Sequence, residues 1–200
     1  MSSQLIIDKT IVADEWTIIE LPHVEQKTKK QAGKVVLFKL TGEDSPTKQQ
    51  IDTTNFPSTG KILLPLKVFL LHKKNLKQRL DKQEIGIWLS THEEMNKLID
   101  QIGDLNQFPL IAVYIEKFAD GRIFSIGTQL RIKYQYKNYL RAFGDVLRDQ
   151  IYFLKRSGYN SYLIRNDRDA KDALKGLDDF TDSYQGAVDI REPIWRRLKR

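Results

Sequence analysis

The sequence predicts an α/β fold in which four consecutive βα units build a parallel sheet, as an open sheet or half-barrel, with an N-terminal β-rich extension. Three observations carry that expectation. From residue 84 onward, short apolar runs alternate four times with amphipathic stretches, the pattern of right-handed βαβ units. Four units are half the number that closes an eightfold barrel. The 200 residues, 40% of them hydrophobic, suffice for a real core and exclude disorder and collagen. Zero cysteines also exclude a disulfide framework, a thiol nucleophile and a Cys-held metal or iron–sulfur centre.

Near the start, residues 16–20 (WTIIE) and 35–38 (VVLF) are rich in β-branched and aromatic side chains, while 23–33 between them is polar, so they read as a hairpin or small sheet. The stretch 41–60 is polar, contains Pro46 and Pro57, and offers apolar side chains only at Ile51 and Phe56, which reads as a long surface loop. Pro65 suits a helix N-terminus, and Leu66, Phe69, Leu70, Leu76 and Leu80 follow at helical spacing.

The first of the four strands is 85–89 (IGIWL). It is followed by 91–94 (THEE), which has capping-box spacing, and by the stripe Met95, Leu98, Ile99, Ile102. The second, 110–115 (LIAVYI), leads through Asp120, Gly121 and Arg122 to the stripe Ile123, Ile126, Leu130. The third is 139–143 (YLRAF), after which Gly144 and Asp145 open a helix carrying Val146, Leu147, Ile151 and Leu154. The fourth is 161–165 (SYLIR), with Asn166 as the expected N-cap of a helix carrying Ala170, Ala173, Leu174 and Leu177. The chain thus divides into a β-rich extension (1–60), an α/β domain (61–180) and a tail (181–200). In the tail, residues 184–186 read as a turn and the basic end from Trp195 as a loosely docked or fraying terminus.

The first eight residues lack a basic segment followed by an apolar stretch, and no run approaches the roughly 18 apolar residues of a membrane span, so a soluble, cytoplasmic protein without membrane contact is expected. The net charge of +7 is uneven, because residues 110–177 hold 13 basic against 7 acidic groups and seven of the twelve arginines. Arginine suits planar, bidentate anion recognition, which makes that stretch the expected working region.

Ligands of a parallel sheet bind beyond its strands' carboxyl ends. That rule selects Ser90, Thr91 and His92; Lys117, Asp120, Gly121, Arg122 and Ser125; Gly144, Asp145 and Arg148; and Arg165, Asn166, Asp167 and Arg168. Such groups would hold a small oxyanion or carboxylate, with Asp120 or Asp145 as general base or as a brace for the arginines. Gly121 is expected to take a positive φ that turns Asp120 and Arg122 toward the loop side; alternatively, Asp120 caps the helix and Arg122 pairs on the surface. On the third helix, expected to start at Asp145, the side chains of Arg148, Asp149, Tyr152, Lys155 and Arg156 share a face with Asp145 at spacings of three and four. That face, with Gln150, reads either as solvated ion pairs or as a docking face for an acidic protein or ligand. The three histidines show no metal-ligand spacing, and no GxGxxG or Walker pattern exists, so neither a metal nor a bound cofactor is expected. Tyr134, Tyr136 and Tyr139 interleave with Lys133, Lys137 and Arg141, but no nucleic-acid motif accompanies them and nucleic acid is not the expected partner.

The segments 118–122 (FADGR), Ser125, 130–131 (LR), 140–142 (LRA), 144–146 (GDV), 148–150 (RDQ), Arg156 and 158–159 (GY) resemble the bacterial domain-of-unknown-function family nine-three-four, over roughly residues 60 to 185. The resemblance implies a role in assimilatory sulfur metabolism, because members are encoded beside the sulfite reductase hemoprotein and are labelled oxidoreductases on that ground. It also implies cysteine in many members where Ser157 stands here, which argues against thiol redox chemistry as an obligatory function. The polar stretches 23–33 and 41–60 exceed the family's compact N-terminal region, and nothing is carried over there.

Two functions from different classes follow. The first is an accessory protein of sulfite reduction that binds the hemoprotein or a small oxyanion through the loops after the second and third strands, with Arg122, Ser125, Arg148, Asp149, Gln150, Lys155 and Arg156 as contacts. The second is a stand-alone α/β enzyme acting on a small anion, with Asp120 or Asp145 as base. A closed pocket with a carboxylate facing two arginines would favour the enzyme, and a flat charged surface the adaptor.

Overall fold

Six parallel strands lie side by side in chain order: β3 (Trp16–Ile18), β4 (Lys61–Pro65), β5 (Ile85–Ser90), β6 (Leu110–Ile115), β7 (Tyr139–Gly144) and β8 (Ser161–Leu163). A hairpin of β1 (Leu5–Ile7) and β2 (Thr10–Val12) joins β8 antiparallel through β1, giving the sheet order β2-β1-β8-β7-β6-β5-β4-β3. The computed structural model describes residues 4–21 and 47–197, so the run at 35–38 and the polar stretch 23–33 lie outside the described residues. The helices are α1 (Lys48–Asp52), α2 (Leu66–Asp81), α3 (Met95–Ile99), α4 (Arg122–Ile132), α5 (Arg148–Arg156), α6 (Ala170–Lys175) and α7 (Ile194–Arg197). No helix among the described residues is long and apolar enough to cross a membrane.

The four expected units are present, adjacent and parallel. A fifth, β4–α2, precedes them. Its strand runs into its helix without a polar turn, so in sequence the apolar run 62–64 merges with the helical stripe; only the extended backbone of Pro65 (φ −54°, ψ 135°) separates the two. The β1–β2 turn uses Asp8 (φ 44°) and Lys9 (φ 69°), the left-handed pair a two-residue hairpin requires, without the glycine that would have announced it. Within the expected loop 41–60 stands α1. Thr47 Oγ1 accepts from the Gln50 N–H at 3.3 Å, and Gln50 Oε1 accepts from the Thr47 N–H at 2.9 Å, a complete capping box. The two apolar side chains noted in the sequence anchor this segment: Ile51 is buried, and the Phe56 ring meets His72 edge-on at 5.7 Å.

Strand alternation divides the interior into two cores. Ile62, Leu64, Ile87, Leu89, Ile111, Val113, Leu140 and Ala142 point to the face that α2, α4, α5 and α6 cover. Leu63, Trp88, Leu110, Ala112 and Phe143 point to the other face, where Trp16, Ile18, Tyr114 and Leu163 pack against them, with no helix over it among the described residues. Right-handed crossovers between consecutive neighbours place the connecting helices on the same side, which explains this asymmetry.

Curvature buries the face without helices. The edge strands β2 and β3 are joined by only residues 13–15. Four residue steps span at most about 14 Å, whereas the seven inter-strand gaps of a flat sheet would hold them about 34 Å apart. The sheet is therefore curled into a half-barrel whose edges approach each other. In the middle of that link Asp14 accepts a hydrogen bond from Arg141 Nη1 at 2.9 Å, and Arg141, in β7, also donates through Nε to Ser161 Oγ at 3.1 Å. Arg141 is 1% exposed, and burial lowers its pKa from the ordinary arginine value although Asp14 opposes the shift.

Candidate functional site

The loops at the strands' carboxyl ends are cross-linked, each to its neighbour. After β5, Glu93 accepts from the Ser90 N–H at 2.9 Å and pairs with Lys67 Nζ at 2.8 Å, joining the loop after β5 to the first turn of α2. The capping spacing is thus used from Ser90, one residue earlier than expected, and α3 spans only five residues. That shift frees Thr91, whose hydroxyl donates to Asp120 Oδ2 and joins the loops after β5 and β6.

Asp120 is in turn held by Arg122, with Nε donating to Oδ1 at 2.8 Å, Nη2 to Oδ2 at 2.7 Å and the backbone N–H to Oδ1 at 3.1 Å. The Arg122 hydrogen bond, seconded by Thr91 and opposed by burial, keeps the Asp120 pKa at about 2. Gly121 has φ −70°, an ordinary helical value, so the expected left-handed turn is absent and the alternative of a braced helix start with a paired Arg122 holds. A carboxylate with so low a proton affinity is a poor general base at neutral pH.

After β7 the backbone turns at Gly144 (φ 98°), where a Cβ would stand 2.3 Å from the Ile115 carbonyl oxygen; only glycine fits. The turn places Asp145 in the loop, three residues before α5 begins, rather than on the helix as expected. Its Oδ2 accepts from the Phe118 N–H at 2.8 Å and its Oδ1 from Arg165 Nη1 at 2.5 Å, joining the loops after β6, β7 and β8. Gln150, 5% exposed, completes the clamp: Nε2 donates to the Phe118 carbonyl at 3.0 Å while Oε1 accepts from the Leu147 N–H at 3.1 Å. Phe118 is therefore gripped at both its N–H and its C=O, and the residue remains 41% exposed. The two segments most distinctive in the sequence, 118–122 and 144–150, meet at this clamp.

The expected docking face on α5 is occupied. Tyr152 is buried at 7%, its hydroxyl paired with Ser183 and its ring 4.8 Å from Phe180. Arg156 donates to Ser183 Oγ and the Gln185 carbonyl and lies 3.5 Å from Asp189, and Lys155 donates to the Leu177 carbonyl at 3.2 Å. Residues 180–189 of the tail thus pack along α5, and Lys155, Arg156 and Gln150 are internal supports. Arg148 pairs with Asp172 and Asp179, both at 3.2 Å. Asp149 and Ser125 are exposed. Asp169, not Asn166, caps α6 by accepting from the Lys171 N–H at 2.9 Å.

A cleft of about 450 Å³ opens between the starts of α5 and α6, lined by Arg148, Arg168, Asp149, Asp167, Asp169 and Asp172 among others. Aspartates outnumber arginines there two to one, which opposes an oxyanion. At the half-barrel's mouth, Trp88, Tyr114 and Phe143 form an aromatic cluster with ring centroids 5.2–5.9 Å apart, and Trp88 Nε1 donates to the Ile19 carbonyl at 2.9 Å. Burial, then the charges of Glu116, Glu20 and Asp145, raises the Tyr114 pKa. Sequence reasoning missed Tyr114 and Glu20 because a tyrosine inside an apolar strand reads as core, and only the curl brings Glu20 near.

Of the aromatic side chains considered for base stacking, Tyr136 is 2% exposed and donates to the Phe108 and Tyr139 carbonyls, while Tyr134 donates to Asn96 Oδ1 at 2.6 Å. Arg131 is spent on the carbonyls of Tyr136, Asn138 and Gly158. Among the described residues no three His, Asp or Glu side chains gather as metal ligands.

A family described as a bacterial protein of unknown function, DUF934, matches residues 86–195, from within β5 to within α7 and so beyond the β4–α2 unit. No curated protein and no solved structure matches the chain.

Proposed function

The chain belongs to the bacterial family of unknown function DUF934, and from that membership we propose that it is a non-catalytic accessory protein of assimilatory sulfite reduction in the cytoplasm, docking onto the sulfite reductase hemoprotein through the loop between β6 and α4. The sulfur context rests on the family resemblance. The docking mode rests on one observation: the backbone of Phe118 is clamped from both sides by Asp145 and Gln150 while the residue stays 41% exposed. An aromatic residue whose backbone is already ordered loses less entropy on binding and makes an efficient interface anchor. Both carboxylates considered as general bases are instead consumed in holding this loop, Asp120 by Arg122 and Thr91, Asp145 by Phe118 and Arg165.

The test is binding of purified hemoprotein to the immobilised chain, beside growth on sulfate or sulfite as sole sulfur source. Phe118→Ala weakens binding at least about tenfold and slows growth while leaving the thermal melt unchanged. Absence of hemoprotein binding, or undiminished binding by Phe118→Ala, overturns the proposal.

A further inference from the structure

Six of the seven arginines in the stretch that holds the positive excess in sequence are paired in the fold. Arg122, Arg141, Arg148, Arg156, Arg165 and Arg168 each meet an aspartate within 3.7 Å. Among the described residues, Lys117, Lys133, Lys137 and Lys171 also meet no carboxylate, but the densest run of cations without one lies on α2 and its C-cap. From Lys73 to Lys82 the chain carries Lys73, Lys74, Lys77, Arg79 and Lys82 against Asp81 alone. Arg79 is occupied by Glu84 and two carbonyls, and Lys73 by the carbonyls of Gln101 and Ile102. Among the described residues no carboxylate pairs with Lys74, Lys77 or Lys82, and all three are exposed.

The apolar pattern of α2 fixes which way these groups face. Leu66, Phe69, Leu76 and Leu80 are buried against the sheet. Directly opposite, Leu71, Lys74, Gln78 and Lys82 follow one another at intervals of three and four and form a single outward stripe. Leu71 is 52% exposed, an apolar side chain at the end of the stripe, one turn before the Lys74 ammonium group.

We propose that this outward stripe of α2 is a second docking surface, separate from the Phe118 loop, for a protein partner presenting an apolar pocket rimmed by carboxylates. A protein fits better than a nucleic acid for two reasons. An exposed leucine gains free energy only from an apolar pocket, which a phosphate backbone does not offer. The cations are also lysines, point charges suited to separate carboxylates, where phosphate recognition favours the arginine fork. Lysine at the end of a helix further complements the helix dipole, so the stripe costs the fold little and can be kept for binding.

The probe is a fluorescent glutamate-rich peptide with a central pair of leucines, measured by anisotropy against a single-stranded oligonucleotide of equal charge. The wild-type chain binds the peptide, more weakly as salt rises. Lys74→Glu with Lys82→Glu costs about tenfold or more, mostly in association rate, and Leu71→Ala a further few-fold. Lys171→Glu with Lys175→Glu, reversing exposed lysines on α6, changes neither affinity nor melting temperature beyond a small salt-dependent term. Peptide binding that survives the α2 reversals, or equal loss from the α6 reversals, overturns the proposal, as does tighter binding of the oligonucleotide. Since Phe118→Ala leaves peptide binding intact, failure of this surface and failure of the loop are read separately.

Discussion

Replacing Asp14 by asparagine tests the account of how the sheet is curled. Asp14 sits midway along the three-residue link between the two edge strands and faces a guanidinium that is 1% exposed, while its own side chain is 22% exposed. Two unit charges about 4 Å apart at an effective dielectric constant of about 20 attract by roughly 4 kcal/mol. Solvent at the Asp14 end screens part of this, so Asp14→Asn, which leaves Arg141 charged and buried without its counter-charge, costs about 2 to 3 kcal/mol. Arg141→Met removes the buried charge itself. It forfeits chiefly the hydrogen bond to Ser161, which leaves one buried hydroxyl unpaired at about 1 kcal/mol. The double variant should match Arg141→Met, giving a coupling of about 2 kcal/mol. Urea unfolding of the four proteins in a double-mutant cycle provides the measurement. If Arg141→Met is the more damaging single change, or the coupling vanishes, the ion pair does not pin the link.

Asp120, with a folded pKa of about 2 against an ordinary 3.8, stabilises the native state above its unfolded value. About 1 to 2 kcal/mol should be lost as pH falls from near 4 through 2, and Asp120→Asn should flatten that acid limb of the stability profile. Gly127→Ala should cost about 2 kcal/mol or more by urea titration, since its Cβ would stand 2.3 Å from the ring of Tyr159, which is held in place by its hydrogen bond to the Ile123 carbonyl. Gly121→Ala, with nothing within 4 Å, should be neutral or slightly stabilising, and equal effects would contradict the packing described. Arg156→Ala should loosen the tail, so that limited proteolysis within residues 180–197 becomes about tenfold faster; unchanged cleavage would mean that the tail is held by other contacts.

The sequence by itself determined the four βα units, their parallel order and the two segments, 118–122 and 144–150, that meet in the rim. Those features are local, because alternation at period two, stripes at period 3.6 and glycine beside a strand end are set by the nearest neighbours of each residue. The helix α2 was legible from Pro65 onward, but its strand β4 escaped because no polar turn marks their boundary, and the β1–β2 hairpin because Asp8 and Lys9 adopt left-handed backbone without glycine. Only tertiary structure decided what the charges do. Asp14 lies 127 positions from Arg141, and Ser183 lies 27 from Arg156, so a face that looked free on α5 is covered by the chain's own tail. Arginines that looked available for a ligand are paired, whereas Lys74 on α2 and Lys82 at its C-cap meet no carboxylate among the described residues. A charge pattern in one dimension fixes which groups exist, but the free energy of an ion pair depends on separation and burial, which the curl of the sheet sets.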